Sequence, residues 1–131
     1  MKNLVTFALL VLAPITAASA QDWRKAKRIE IDLANFKYTP SRIVLRHGQP
    51  YVLHLVNRAS GGHDFAAKPF FSAAQVNAAD RAKLSGGKVQ LSGGESADIR
   101  LVAPTAAAIF EVHCSHFMHD TFGMKGEIAV Q

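Results

Sequence analysis

Apolar and polar residues alternate with period two in several short stretches of this chain, the spacing expected of half-buried β-strands. Arg28 to Leu33 sets Ile29, Ile31 and Leu33 on one face. The same signature, or a brief apolar run, recurs at Ile43 to Leu45, Tyr51 to Asn57, Val89 to Leu91, Glu95 to Val102, Ile109 to Cys114 and Glu127 to Val130. Turn signals separate them, among them His47-Gly48-Gln49-Pro50, Gly93-Gly94 and Ala103-Pro104. Phe36 and Tyr38, two residues apart ahead of Thr39-Pro40, are expected to cover one face of a sheet. Residues 66–88 differ: they are Ala-rich, with Phe70, Phe71, Val76 and Leu84 at loosely helical spacing. One short helix, roughly Ser72 to Leu84 and stopped by Gly86-Gly87, is predicted there. About seven strands with one short helical insertion predict an all-β, Greek-key β-sandwich.

The N-terminus changes what counts as the folded domain. Lys2 precedes an apolar run from Leu4 to Ile15 that ends in Ala18-Ser19-Ala20. This is the pattern of a secretory signal peptide over residues 1–20, leaving 21–131 as one domain. The run is shorter than the roughly 20 apolar residues of a membrane span. An exported protein without stable membrane insertion is expected, periplasmic if the source is bacterial. The sequence has 15 Lys and Arg against 10 Asp and Glu, and loss of Lys2 leaves 14 against 10, or +4 with histidines neutral. Such an excess steers acidic partners without identifying them. The basic cluster from Arg24 to Arg28 reads as a solvated arm, because export argues against nucleic acid.

The candidate chemistry is concentrated near the C-terminus. A single cysteine, Cys114, forms no internal disulfide, so in an oxidising compartment it should be buried, ligated or reactive. Alternation sets Phe110, Val112 and Cys114 on the inward face and Ile109, Glu111 and His113 on the other. The stretch from His113 to Gly126 holds that cysteine, three of the six histidines and two of the three methionines. Cys114, His119 and Met124 follow a C-x4-H-x4-M spacing, with Gly123 and Gly126 allowing a tight return into the last strand. One further ligand is required, and His63, on the bend after Gly61-Gly62, leads the candidates; His47 and His54 read as structural or solvated. Two imidazoles and a thiolate with a weak thioether are the donors of a blue-copper site. Zinc would accept a cysteine and two histidines, but a methionine fourth ligand is unusual for it. A nucleophilic cysteine fits less well a thiol buried among soft donors.

Three segments together resemble the cupredoxins, the copper proteins that include plastocyanin and azurin. They are Phe36-Lys37-Tyr38-Thr39-Pro40, the strand into Asn57 followed by Gly-Gly-His63-Asp64-Phe65, and Cys114-x4-His119-x4-Met124-Lys125-Gly126. The resemblance extends over nearly all of residues 28–131. It implies that His63 is the upstream histidine ligand, Cys114 the thiolate, His119 the downstream histidine and Met124 the axial ligand of one copper ion. It also implies that Asp64 and Ser115 tie the two ligand loops together. Relatives with this loop length often carry Pro-Gly before the downstream histidine, where this chain has Phe117-Met118, and His116 adds another imidazole. His119 is favoured because Cys114 and His116 leave too short a span for two ligands at a strand end; Met118 reads as a surface or packing residue.

The implied function is that of a monomeric one-electron carrier, not an enzyme. Its redox partner would be a cytochrome, a copper enzyme or a membrane complex. Phe117, Met118 and Phe122 would form the docking rim around His119. The spare donors His113, His116 and Met118 leave copper storage or delivery open as the alternative, and a purely structural metal site as a third reading. One cysteine is too few for a binuclear copper site of the oxidase type.

Overall fold

A computed structural model describes residues 13, 14, 20–116 and 123–131. Its architecture is a sandwich of two packed sheets, as the alternation predicts, each of five strands. The first sheet contains β1 (Lys27–Ala34), β2 (Lys37–Thr39), β4 (Pro50–Asn57), β6 (Gln75–Val76) and β8 (Ser96–Val102), in the order β2-β1-β4-β8-β6. The second contains β3 (Arg42–Leu45), β5 (His63–Ala66), β7 (Lys88–Leu91), β9 (Ala108–His113) and β10 (Lys125–Val130), in the order β3-β10-β9-β5-β7. The β1–β4 and β3–β10 pairs are parallel and the others antiparallel. The strands beyond the predicted seven are β2, β5 and β6, each four residues or fewer and too short to show a period in sequence.

The core lies between the sheets. Ile31, Leu33, Leu53, Leu55, Ile99 and Leu101 from the first face Leu45, Phe65, Val112 and Ile128 from the second, all buried. Tyr38 packs edge-on against Phe65, with ring centroids 5.6 Å apart. Phe36 does not share its face. It lies in the turn before β2 at φ 61°, still 43 % exposed, because strand alternation begins only at the next residue.

The predicted helix from Ser72 to Leu84 is corrected by the structure. The α-helix is α1, Lys68–Ala73, entered through Pro69 in its first turn, and a separate 3-10 segment covers Ala78–Lys83. Between them Gln75 and Val76 leave the helical path to pair with Val102 and Leu101 at the edge of the first sheet. Asn77 then restarts helical geometry by accepting the amide of Ala79 on its side chain. Backbone pairing to β8 and burial of Val76 outweigh the helix propensity of the flanking Ala73, Ala74 and Ala78.

From β3 to β9 each successive strand lies in the opposite sheet. The chain therefore arches between layers, and the β4–β5 connection leads into β5 beside the end of β9.

Candidate metal centre

Strand register brings the site together. Ala66 of β5 pairs with His113 of β9, and stepping along the antiparallel strands sets Phe65 opposite Cys114 and Asp64 opposite Ser115. Alternation then turns His63, Phe65 and Cys114 toward the core and Asp64 and Ser115 toward the outer face. Cys114 is 1 % exposed and His63 is 2 % exposed, whereas His113 is exposed, as predicted from its neighbours.

Three of the four predicted ligand residues fall among the described residues. The Sγ of Cys114 lies 3.9 Å from Nδ1 of His63. Nε2 of the same ring lies 3.2 Å from Oδ1 of Asn35, so its N–H donates to the amide oxygen and the lone pair of Nδ1 is left facing the thiol. Met124 is fully buried, and its carbonyl accepts the amide of Cys114 at 3.2 Å, which closes the base of the C-terminal loop. His119, with Phe117, Met118 and Phe122 of the predicted rim, lies outside the described residues.

His116 takes a different place from His63 and Cys114. Its Nε2 is 3.0 Å from Oε1 of Gln90 and 3.8 Å from Oδ2 of Asp64, and its ring centroid is 6.3 Å from that of His63. Asp64, Cys114 and His116 bring one donor atom each to within 4.8 Å of one another. The carboxylate of that trio is already engaged, however: it accepts the Ser115 amide on Oδ1 at 2.8 Å and the Ser115 hydroxyl on Oδ2. Asp64 thus organises the site from the outer face, its backbone N–H aimed at Sγ of Cys114 at 3.5 Å. An amide donor there favours the thiolate form that a metal requires.

Several supporting residues are not recognisable from sequence, because their partners are distant in it. Tyr38 donates its hydroxyl to the carbonyl of Asp64 at 2.6 Å. Burial first, then the nearby Cys114 and Asp64 charges, pushes the Tyr38 phenol well above its usual range, so it remains a donor. Asn57 is 1 % exposed and anchors the loop that leads to His63. Its amide donates to the carbonyls of Gly61, Leu91 and Ser92 at 2.8, 3.1 and 3.1 Å, and its oxygen accepts the amide of Ala59 at 3.0 Å. The position of Asn57 at the end of an apolar strand, just before a Gly-rich bend, is the one signal that marks it in advance. His54, predicted to be structural or solvated, bonds Asp98 at 2.6 Å through Nδ1.

A buried thiol, an imidazole nitrogen presented to it and a buried thioether-bearing residue are a soft and borderline donor set, which suits copper better than a hard cation. The hydrogen bond that Asn35 accepts from His63, and those that Tyr38, Asp64 and Ser115 donate, fix His63 and Cys114 from behind.

The comparisons with known proteins agree with this chemistry. Residues 25–131 match the family model of copper binding proteins, plastocyanin/azurin family. No curated protein matches the whole sequence significantly. Among solved structures, dithionite-reduced auracyanin from the photosynthetic bacterium Roseiflexus castenholzii superposes with a TM-score of 0.61 at 21 % identity, over 81 % of this chain and 98 % of that one. Auracyanin B does so with a TM-score of 0.61 at 18 % identity, over 88 % of this chain and 95 % of that one. A multi-copper oxidase from Pseudomonas thermotolerans gives a TM-score of 0.64 at 20 % identity, over 91 % of this chain but only 33 % of the oxidase. At these identities the structural likeness establishes the fold.

Proposed function

Since the chain belongs to the plastocyanin/azurin family of copper-binding proteins, we propose that it is a non-enzymatic blue-copper electron carrier. One copper ion would be held by His63, Cys114, His119 and Met124. Copper, when bound, supplies a one-electron couple between Cu(I) and Cu(II). The contribution of the protein is to keep the donors in one arrangement for both oxidation states. The observation that carries this reading is the buried Cys114 thiol, 3.9 Å from Nδ1 of His63, with both residues fixed from behind by hydrogen bonds. Such a scaffold limits atomic movement on electron transfer.

The finer parts of the proposal rest on the sequence. Residues 1–20 act as a leader, residues 21–131 form the exported domain, and the carrier works as a monomer, in the periplasm of a bacterial source. The family match starts at residue 25, past the proposed leader. No helix among the described residues is long and apolar enough to cross a membrane. The partner would be an exported or membrane-bound redox protein that meets the rim around His119 over a small, quickly dissociating interface.

A second reading, copper storage or delivery, is favoured by one observation: His116 offers another imidazole within 4.8 Å of the donor atoms of Cys114 and Asp64. The two readings separate on adding one equivalent of Cu(II) to the purified protein and recording its visible spectrum. An intense thiolate-to-copper band that bleaches with a mild reductant, returns on oxidation and is absent from Cys114→Ser is the expected result. Absence of the band, or retention of copper only as Cu(I), would overturn the carrier reading in favour of copper handling.

A further inference from the structure

We propose that Lys88 is a positioning residue of the metal centre, its ammonium locking the Ser115 hydroxyl onto Asp64 and so fixing the contact between the two ligand loops. The clamp itself needs no copper; its effect on the redox couple rests on the carrier reading above.

Lys88 opens β7 opposite Ala66 of β5, on the same outer face as Asp64 and Ser115. Its Nζ lies 3.0 Å from Oγ of Ser115 and 3.9 Å from Oδ2 of Asp64. A serine hydroxyl has one proton and two lone pairs. Here the proton goes to Oδ2 of Asp64, so the lone pairs are left for the ammonium. The bonds run in series from Lys88 to Ser115 to the Asp64 carboxylate, and a cation at their head strengthens both. The backbone N–H of the residue so held donates separately to Sγ of Cys114.

Charge complementarity favours this partner. Asp64 is fully buried and its carboxylate is bonded first by the Ser115 amide and hydroxyl, with a cation beside them completing the contact. Among the described residues, two basic side chains approach it, Lys88 and the imidazole of His116 at 3.8 Å. The Lys88 side chain is 39 % exposed, so as an isolated ion pair it would add little to global stability. Its role should therefore register locally, at Ser115 and Cys114.

Lys68 provides the control. It lines the same surface groove of about 660 Å³ as Lys88 and Ser115, yet among the described residues it makes no hydrogen bond to Ser115 or Asp64.

The test compares Lys88→Met, Lys88→Arg and Lys68→Met with the wild-type protein. In copper-free protein, amide hydrogen exchange at Ser115 should be about three- to tenfold faster in Lys88→Met, restored by Lys88→Arg and unchanged in Lys68→Met. In copper-loaded protein at a fixed mediator potential, Lys88→Met should raise the ratio of oxidised to reduced protein about three- to tenfold, where tenfold is 59 mV for a one-electron couple. Lys68→Met should move that ratio less. Ser115 exchange within twofold of wild type in Lys88→Met would overturn the proposal; Lys88→Gln replaces the Met variant if the latter does not fold. Faster Ser115 exchange in a protein without any reversible couple would uphold the clamp and sink the carrier reading. A reversible wild-type couple with Ser115 exchange unaltered by Lys88→Met would do the opposite.

Discussion

Removing the Asn57 side chain should cost more stability than any other polar truncation near the site, by a mechanism that reaches His63. In Asn57→Ala the contacts to the carbonyls of Gly61, Leu91 and Ser92, which share the two N–H groups of the amide, disappear together with the bond from the amide of Ala59. A net hydrogen bond contributes about 1 kcal/mol, and a buried acceptor left unpaired costs about 1–3 kcal/mol. Of the three carbonyls, that of Leu91 is bonded in a buried setting, while those of Gly61 and Ser92 lie where water can replace the amide. Allowing for that replacement, the expected loss is about 3 kcal/mol. With a urea m-value of about 1.5 kcal/mol/M, the denaturation midpoint should fall by about 2 M. Asn57→Asp is the sharper variant. It keeps the acceptor for Ala59 but turns a carboxylate oxygen toward three carbonyl oxygens, so at neutral pH it should be at least as unstable as Asn57→Ala, and it should recover as acid supplies the missing proton. Equilibrium urea unfolding of copper-free protein at pH 7 and pH 4 measures both. A loss below about 1 kcal/mol for Asn57→Ala at unchanged m-value, or an Asn57→Asp protein more stable than Asn57→Ala at neutral pH, would refute the reasoning.

The far edge of the first sheet supplies a pH dependence. Burial alone would raise the Asp80 carboxyl, but hydrogen bonds from Arg100 and Lys83 outweigh it and hold the group well below the usual carboxylate range. The folded state thus favours the ionised form, and its stabilisation is complete above the unfolded value of about 3.9 and is lost as pH falls further. Asp80→Asn should cost about 1–2 kcal/mol at pH 7, discounted because Lys83 and Arg100 are partly exposed, and the gap to wild type should narrow between pH 4 and pH 2 in thermal unfolding. A gap that stays constant with pH would remove the ion-pair explanation. In the turn before β8, a Cβ at Gly93 would lie 2.1 Å from the backbone oxygen of Ser60, within the loop before His63. Gly93→Ala should therefore lower stability by about 2–3 kcal/mol and weaken copper binding, read by calorimetry and copper titration; wild-type values for both would show that the two loops separate freely.

Much of the fold, and the residues proposed for the site, were legible in the sequence. Period-two alternation and brief apolar runs located seven of the strands, because a strand with one buried face records that burial in every second residue. The same alternation turned Cys114 inward and His113 outward, and the structure has them so. The donor types around Cys114, together with the bend at Gly61-Gly62-His63, were enough to suggest copper, since softness and spacing are properties of the residues themselves. The helix limits, the exposure of Phe36 and the supporting bonds were decided only by tertiary structure. Gln75 and Val76 became a strand because β8 presented an unpaired edge to them. Asn35, Tyr38, Asn57 and Lys88 took up their roles because two sheets folded together carry them to partners 26 to 34 residues away. A hydrogen bond across that distance leaves no period in the chain: it depends on register and on which end of the sandwich each loop closes, and both are fixed only when the sheets pack.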